Sequence, residues 1–211
     1  MVALSRSGVG YLPIGCLERH GDHLPMGLDA IKAHGICCLL ARIIGGVVFP
    51  AHFYAGIHQM GPQDLNKYTG QWGNLYTDQT AAEHLKDIIR QIRRMGVRVL
   101  VLYSGHYPQC QVAMIDAIAQ ELTSDPDFRV IPFAEPMATR GDHAAISETS
   151  LMLYLDRSYV DMSAIGETNY RDHGWAHDER SPEYASCSFG EAEAERIIAY
   201  LKPRIEPYLI R

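Results

Sequence analysis

Short β-rich apolar runs alternating with amphipathic stretches of helical length constrain this chain most. Residues 97–103, Val97-Arg98-Val99-Leu100-Val101-Leu102-Tyr103, are too uniformly apolar for a sheet face in water. Residues 11–16, 47–54 and 128–133 read as further strands. Between them lie helical segments. Residues 30–44 end at Gly45-Gly46, and residues 77–95 repeat Ala81, Leu85, Ile88, Ile89 and Ile92 at helical spacing while Glu83, Lys86, Arg90 and Arg93 point elsewhere. Residues 109–122 form another helix, residues 149–155 look helical, and residues 190–201 form the last. Strands alternating with helices make βαβ units, so the expected class is α/β with a parallel sheet. Residues 55–76 hold Gly56, Gly61, Pro62, Gly70 and Gly73 without sustained periodicity, and a loop of that length is read as a wall of the active site.

A chain of 211 residues supports one core, so residues 1–211 are expected to be a single domain. A formal charge of -6 gives no reason to expect a nucleic-acid partner. No stretch reaches the roughly 20 apolar residues of a membrane span, and no basic segment precedes an apolar signal core, so no membrane partner is expected. The five cysteines include no CxxC spacing, which suits free thiols in a reducing, cytoplasmic setting.

The candidate chemistry begins at Glu18-Arg19-His20-Gly21-Asp22-His23-Leu24-Pro25, followed by Asp29. Glu18 and His20 are two apart, so side chains leaving an extended segment there share a face. The run at 97–103 stops at Ser104-Gly105-His106, and Asp142-His143 with Glu148 follow later. In open α/β sheets ligands bind beyond the carboxyl ends of the strands, which gathers Glu18, His20 and His106. Imidazole with carboxylate accepts zinc, manganese or ferrous iron, and ligand type alone does not choose among them. Asp29 reads equally as a helix N-cap.

Residues 12–29, Leu12-Pro13-Ile14-Gly15-Cys16-Leu17-Glu18-Arg19-His20-Gly21 through Asp29, resemble the signature of the creatininase, or creatinine amidohydrolase, family. Ser104-Gly105-His106-Tyr107 resembles its Asn-Gly-His turn, and residues 143–151 resemble its His-Ala-Gly-x-x-Glu-Thr-Ser-Leu segment. Ala185-Ser186 before Gly190 resembles its carboxyl-terminal Ala-Ser pattern. The resemblance implies a three-layer α/β/α fold with a mostly parallel central sheet. It also implies a centre of two divalent ions (Zn, Mn or Fe) and hydrolysis of a C–N bond in a small-molecule amide. It puts Glu18, His20, Asp29 and His106 on the metals, with Asp29 bridging, and His143 as the catalytic histidine. It further implies a homo-oligomer, with a hexameric ring as one form.

Two departures shape the reading. Pro108 stands where creatininase places a metal-binding Glu, and Ser104 where the family usually has Asn. Glu148 is therefore a candidate replacement ligand, or else a helix carboxylate that orients His143 or a neighbouring ligand. Residues 138–142 lack the aromatic residue that creatininase carries before its catalytic histidine, so another cyclic amide or a formamide is the expected substrate rather than creatinine. The alternative function is a catalytically impaired relative that binds ligands through its metal. The first strand begins almost at once, so part of the family's usual amino-terminal segment is expected to be missing. Trp72, Trp175 and Arg140 are weaker candidates for contacts with substrate.

Overall fold

In the computed structural model, residues 7–61, 63–64, 77, 80–123, 127–166 and 180–209 are described. Four parallel strands form one sheet in the order β2-β1-β3-β4: β1 (Val9–Ile14), β2 (Val47–Val48), β3 (Val99–Ser104) and β4 (Arg129–Ala134). The main helices are α1 (Leu28–Ile44), α2 (Thr80–Arg94), α3 (Gln109–Leu122), α4 (Ile146–Leu155) and α5 (Cys187–Ile205).

Alternation along the strands builds the three layers. Leu12, Ile14, Leu100, Leu102 and Val130 pack against Leu85, Ile89 and Ile92 of α2 and Ile115 and Ile118 of α3. Val9, Tyr11, Val99, Val101, Tyr103, Ile131 and Phe133 face the other way, onto α1, Leu151 of α4 and Ile197 and Leu201 of α5. Each large aliphatic side chain so withdrawn from water contributes roughly 1.5–3 kcal/mol. Three-layer α/β/α architecture is thus a consequence of strands apolar on both faces.

The second strand is shorter than the expected 47–54. Tyr11 and Pro13, two apart on β1, accept from the amides of Phe49 and His52, three apart, so the edge carries one extra residue around Pro50. Pro50 has no N–H to give, and a bulge at an edge accommodates it. Pairing resumes only at the Ile14–His52 bridge. The helices at 149–155 and 190–201 also begin earlier than expected, at Ile146 and Cys187.

Chain order places the site. From β1 the chain crosses to β2 on one side, then returns to β3 on the other, so the topology reverses between β1 and β3. A crevice opens at such a point. Two glycines let the amino end of α1 sit in it: a methyl on Gly15 would lie 2.5 Å from Ala30 N, and one on Gly105 would lie 2.0 Å from Asp29 O.

Candidate metal centre

Asp29 is not the N-cap of α1, a place held by Gly27 without a side-chain bond. It lies in the first turn, fully buried, and its two oxygens face different groups. Oδ1 is 3.2 Å from His20 Nε2, whereas Oδ2 is 3.4 Å from His106 Nδ1. Glu18 Oε2 is 3.0 Å from the same His106 nitrogen, and Glu148 Oε2 is 3.5 Å from His20 Nε2. Three overlapping groups result: Cys16, Glu18, Asp29 and His106; His20, Asp29 and Glu148; Glu18, His20 and His143.

Backbone carbonyls settle how the imidazoles face the cluster. His20 Nδ1 is 3.0 Å from the Glu18 carbonyl, His106 Nε2 is 3.1 Å from that of Ile57, and His143 Nε2 is 3.0 Å from that of Arg19. A carbonyl only accepts, so those nitrogens carry the hydrogens and the opposite nitrogens offer lone pairs, the usual preparation of a histidine for metal. His20 Nε2 is buried and makes no hydrogen bond. Lone pairs and carboxylate oxygens at 3.0–3.5 Å require a cation between them. A proton or a metal ion serves, and the donor set suits zinc, manganese or iron.

Electrostatics agree with that requirement. Burial opposes the charged imidazole of His20, but Asp29 and then Glu148 outweigh it and raise its pKa to about 9. His106 is likewise penalised by burial and carried up to about 10, chiefly by Glu18. Burial also disfavours the carboxylates. Even so, His143 and His106 hold Glu18 well below its ordinary range, and His20 does the same for Asp29. His143 is lowered, by burial first and then by His20, so it is neutral at neutral pH.

The loop candidates divide. Asp22 pairs with Arg19 at the surface, and His23 is hydrogen-bonded to Thr149 Oγ1 at 3.0 Å, fixing the loop to α4. Asp142 accepts from the amides of Ser147 and Glu148 at the start of α4. A cavity of about 220 Å³ opens over the cluster, lined also by His58, Met60, Tyr107, Pro108 and Asp142. His58 and Met60 come from the long loop; Trp72 and Trp175 lie outside the described residues. Arg140 is exposed and does not line this cavity.

Four participants went unread in the sequence: Cys16, Lys32, Tyr107 and Glu135. Cys16 Sγ is 3.2 Å from Asp29 Oδ2 and 3.7 Å from Glu18 Oε2. Lys32 is wholly buried beneath the cluster, bonded to Glu135 at 2.8 Å and Glu148 at 2.6 Å. Burial, first of all, raises Glu135 to about 7. A signal for Lys32 existed, since Asp29, Lys32, Ile36 and Leu40 recur on the buried stripe of α1.

The family model for creatininase, described as creatinine amidohydrolase, matches residues 2–196. The chain belongs to the creatininase family. A creatinine amidohydrolase from Pseudomonas putida is 30% identical over 175 residues, covering 73% of this chain. This chain spans 66% of that relative's length. A Zn–Zn form of a mutant creatininase superposes with a TM-score of 0.72 at 27% identity, covering 97% of this chain and 93% of that one. A creatininase described as the Mn form gives 0.69 at 26%, covering 93% and 91%. Family membership gives the cluster at β1 and β3 its chemical context.

Proposed function

We propose that the protein is a metal-dependent amidohydrolase that cleaves a C–N bond in a small cyclic amide or formamide, with two divalent ions (Zn, Mn or Fe) held in one domain. The observation that carries this reading is Asp29, whose two carboxylate oxygens face two separate donor groups. Glu18, Asp29 and His106 would hold one ion, and His20, Asp29 and Glu148 the other. A shared anion offsets the repulsion of two close cations. The Zn–Zn and Mn forms among the relatives support the ion types.

Bound ions supply an acidified water and a polarised carbonyl. The chain's own residues do the rest. His143, neutral and with its Nε2 hydrogen held by the Arg19 carbonyl, offers Nδ1 to take a proton and return it to the leaving nitrogen. Glu148 holds the Ala144 amide at 2.6 Å beside His143, so the same carboxylate that faces His20 also fixes the catalytic turn. Residues 138–142, Ala-Thr-Arg-Gly-Asp, carry no aromatic side chain, so this stretch supplies no flat wall for creatinine. The protein is further proposed to act in the cytoplasm as a homo-oligomer, a hexamer by resemblance. No helix of the described residues is long and apolar enough to cross a membrane.

The test is to strip the metal, restore zinc, manganese or iron, and screen cyclic amides and formamides. Hydrolysis that returns with metal is the expected result. Less than one ion per chain, with no hydrolysis under any metal, would favour a binding protein instead.

A further inference from the structure

Cys16 follows β1 by two residues, and two close backbone approaches fix where its sulfur lies. A methyl on Gly15 would lie 2.6 Å from Asp29 Cβ, so β1 ends directly against the first turn of α1. A methyl on Gly56 would lie 2.3 Å from Cys16 Cβ and 2.9 Å from its Sγ, so the start of the long loop abuts the same side chain. That part of the loop is tied down. Ile57 donates to Gln111 Oε1 at 2.9 Å, and Ala55 to the Gly15 carbonyl at 3.1 Å. Cys16 is fully buried, with Sγ 3.2 Å from Asp29 Oδ2 and 3.7 Å from Glu18 Oε2.

A thiol has one hydrogen, and a weak one, so it cannot answer both carboxylates. A cation can. Tetrahedral zinc, with sulfur at about 2.3 Å and oxygen or nitrogen at about 2.0–2.1 Å, sets its S···O edges at about 3.5 Å and its N···O edges at about 3.3 Å. The sulfur stands 3.2 and 3.7 Å from the two oxygens, and His106 Nδ1 stands 3.4 and 3.0 Å from the same pair. All four donor atoms lie within 4.8 Å of one another.

We propose that Cys16 Sγ is a fourth protein ligand, as thiolate, to the ion at Glu18, Asp29 and His106. This rests on the two-ion reading above and adds a donor that reading leaves out. In the metal-free protein burial, and then Asp29 and Glu18, keep the thiol protonated. A coordinating thiol gives that proton up: the S–H bond breaks, the sulfur–metal bond forms, and the proton passes to solvent. Sulfur in the donor set suits zinc better than manganese. Four protein donors complete a tetrahedron, so a water joins this ion only as a fifth ligand.

The experiment loads the metal-free full chain with cobalt and reads its absorption. The wild type shows a sulfur-to-cobalt charge-transfer band in the near ultraviolet beside the visible cobalt bands, and C16S keeps the visible bands and loses the ultraviolet one. C110S and C187S keep both, since Cys110 Sγ lies 3.7 Å from the Ile57 carbonyl it bonds to and Cys187 is exposed. X-ray absorption at the zinc edge of the zinc-loaded wild type needs no variant, and it carries the test if C16S does not fold or holds no cobalt. Two ions per chain then average to about half a sulfur per zinc, at about 2.3 Å. A cobalt-loaded wild type without the ultraviolet band overturns the proposal, as does a band that survives C16S or vanishes in C110S or C187S. A zinc spectrum with oxygen and nitrogen alone also overturns it. A wild type that takes up neither metal instead overturns the metal reading beneath it.

Discussion

Replacing Gly105 with Ala is a small change that should empty the metal centre. The added methyl would stand 2.0 Å from the Asp29 carbonyl oxygen, 2.7 Å from its carbon and 3.0 Å from its Cα. A carbon settles against a carbonyl oxygen at about 3.3 Å, so α1 and the end of β3 must part by about 1.3 Å. The obstacle is backbone, which no rotamer change can relieve. Metal ligands tolerate errors of about 0.2 Å, and Asp29 and His106 sit on opposite sides of the gap. Overpacking of this kind costs about 3 kcal/mol, or a Tm lowered by about 6–12 °C for a chain of this size. Zinc content after dialysis, read beside a thermal melt, checks both expectations: G105A should hold less than one zinc per chain. Gly166, where an added methyl meets nothing within 4 Å, supplies the control G166A. A G105A protein with wild-type zinc content and a Tm within about 2 °C of wild type would refute the reasoning.

Other outcomes follow from the same cluster. Zinc must displace protons from His20 and His106, raised to about 9 and about 10, so binding at pH 7 should release about two protons from these rings and tighten as pH rises. Calorimetry in buffers of different ionisation enthalpy counts them, and release of none would show the rings to be neutral already. In the metal-free protein these raised imidazoles stabilise fully below their ordinary 6.5, and that stability fades as pH climbs through 9 and 10. The lowered carboxylates Glu18 and Asp29 stabilise above their ordinary range and lose that effect in acid, so urea midpoints should peak between about pH 5 and 6.5 and fall toward pH 10. H143N should keep its zinc yet lose about 10²–10⁴ in kcat, together with the acid limb of the pH profile below 6.5. Zinc loss in H143N would recast His143 as a ligand.

The sheet was legible because residues 97–103 and 128–133 are apolar apart from Arg98 and Arg129 near their starts, and such runs have few other homes. His106 was legible because it interrupts such a run. The early end of β2 was hidden, since Pro50 removes one amide without changing the apolar pattern around it. Lys32 left only its place on the apolar stripe of α1 as a trace, for a different reason. A lysine on a helix ordinarily lies in water, and only the sheet's crossover brings Glu135 and Glu148 to meet it. Glu148 was visible as a candidate, but its bonds to Tyr107 and Ala144 depend on contacts that no local spacing encodes.

The reach of the Lys32 contacts bears on how the chain matures. Lys32 meets Gly105 across 73 residues and Glu148 across 116. Three of the candidate donors, Glu18, His20 and Asp29, therefore emerge early in synthesis, and His106 and Glu148 reach them only after the middle of the chain has followed. A half-made chain has no finished cage in which to trap an ion, and a metal acquired at the end closes two long loops at once. On the proposed two-ion reading, cation uptake would follow only once β1, β3 and α4 have come together.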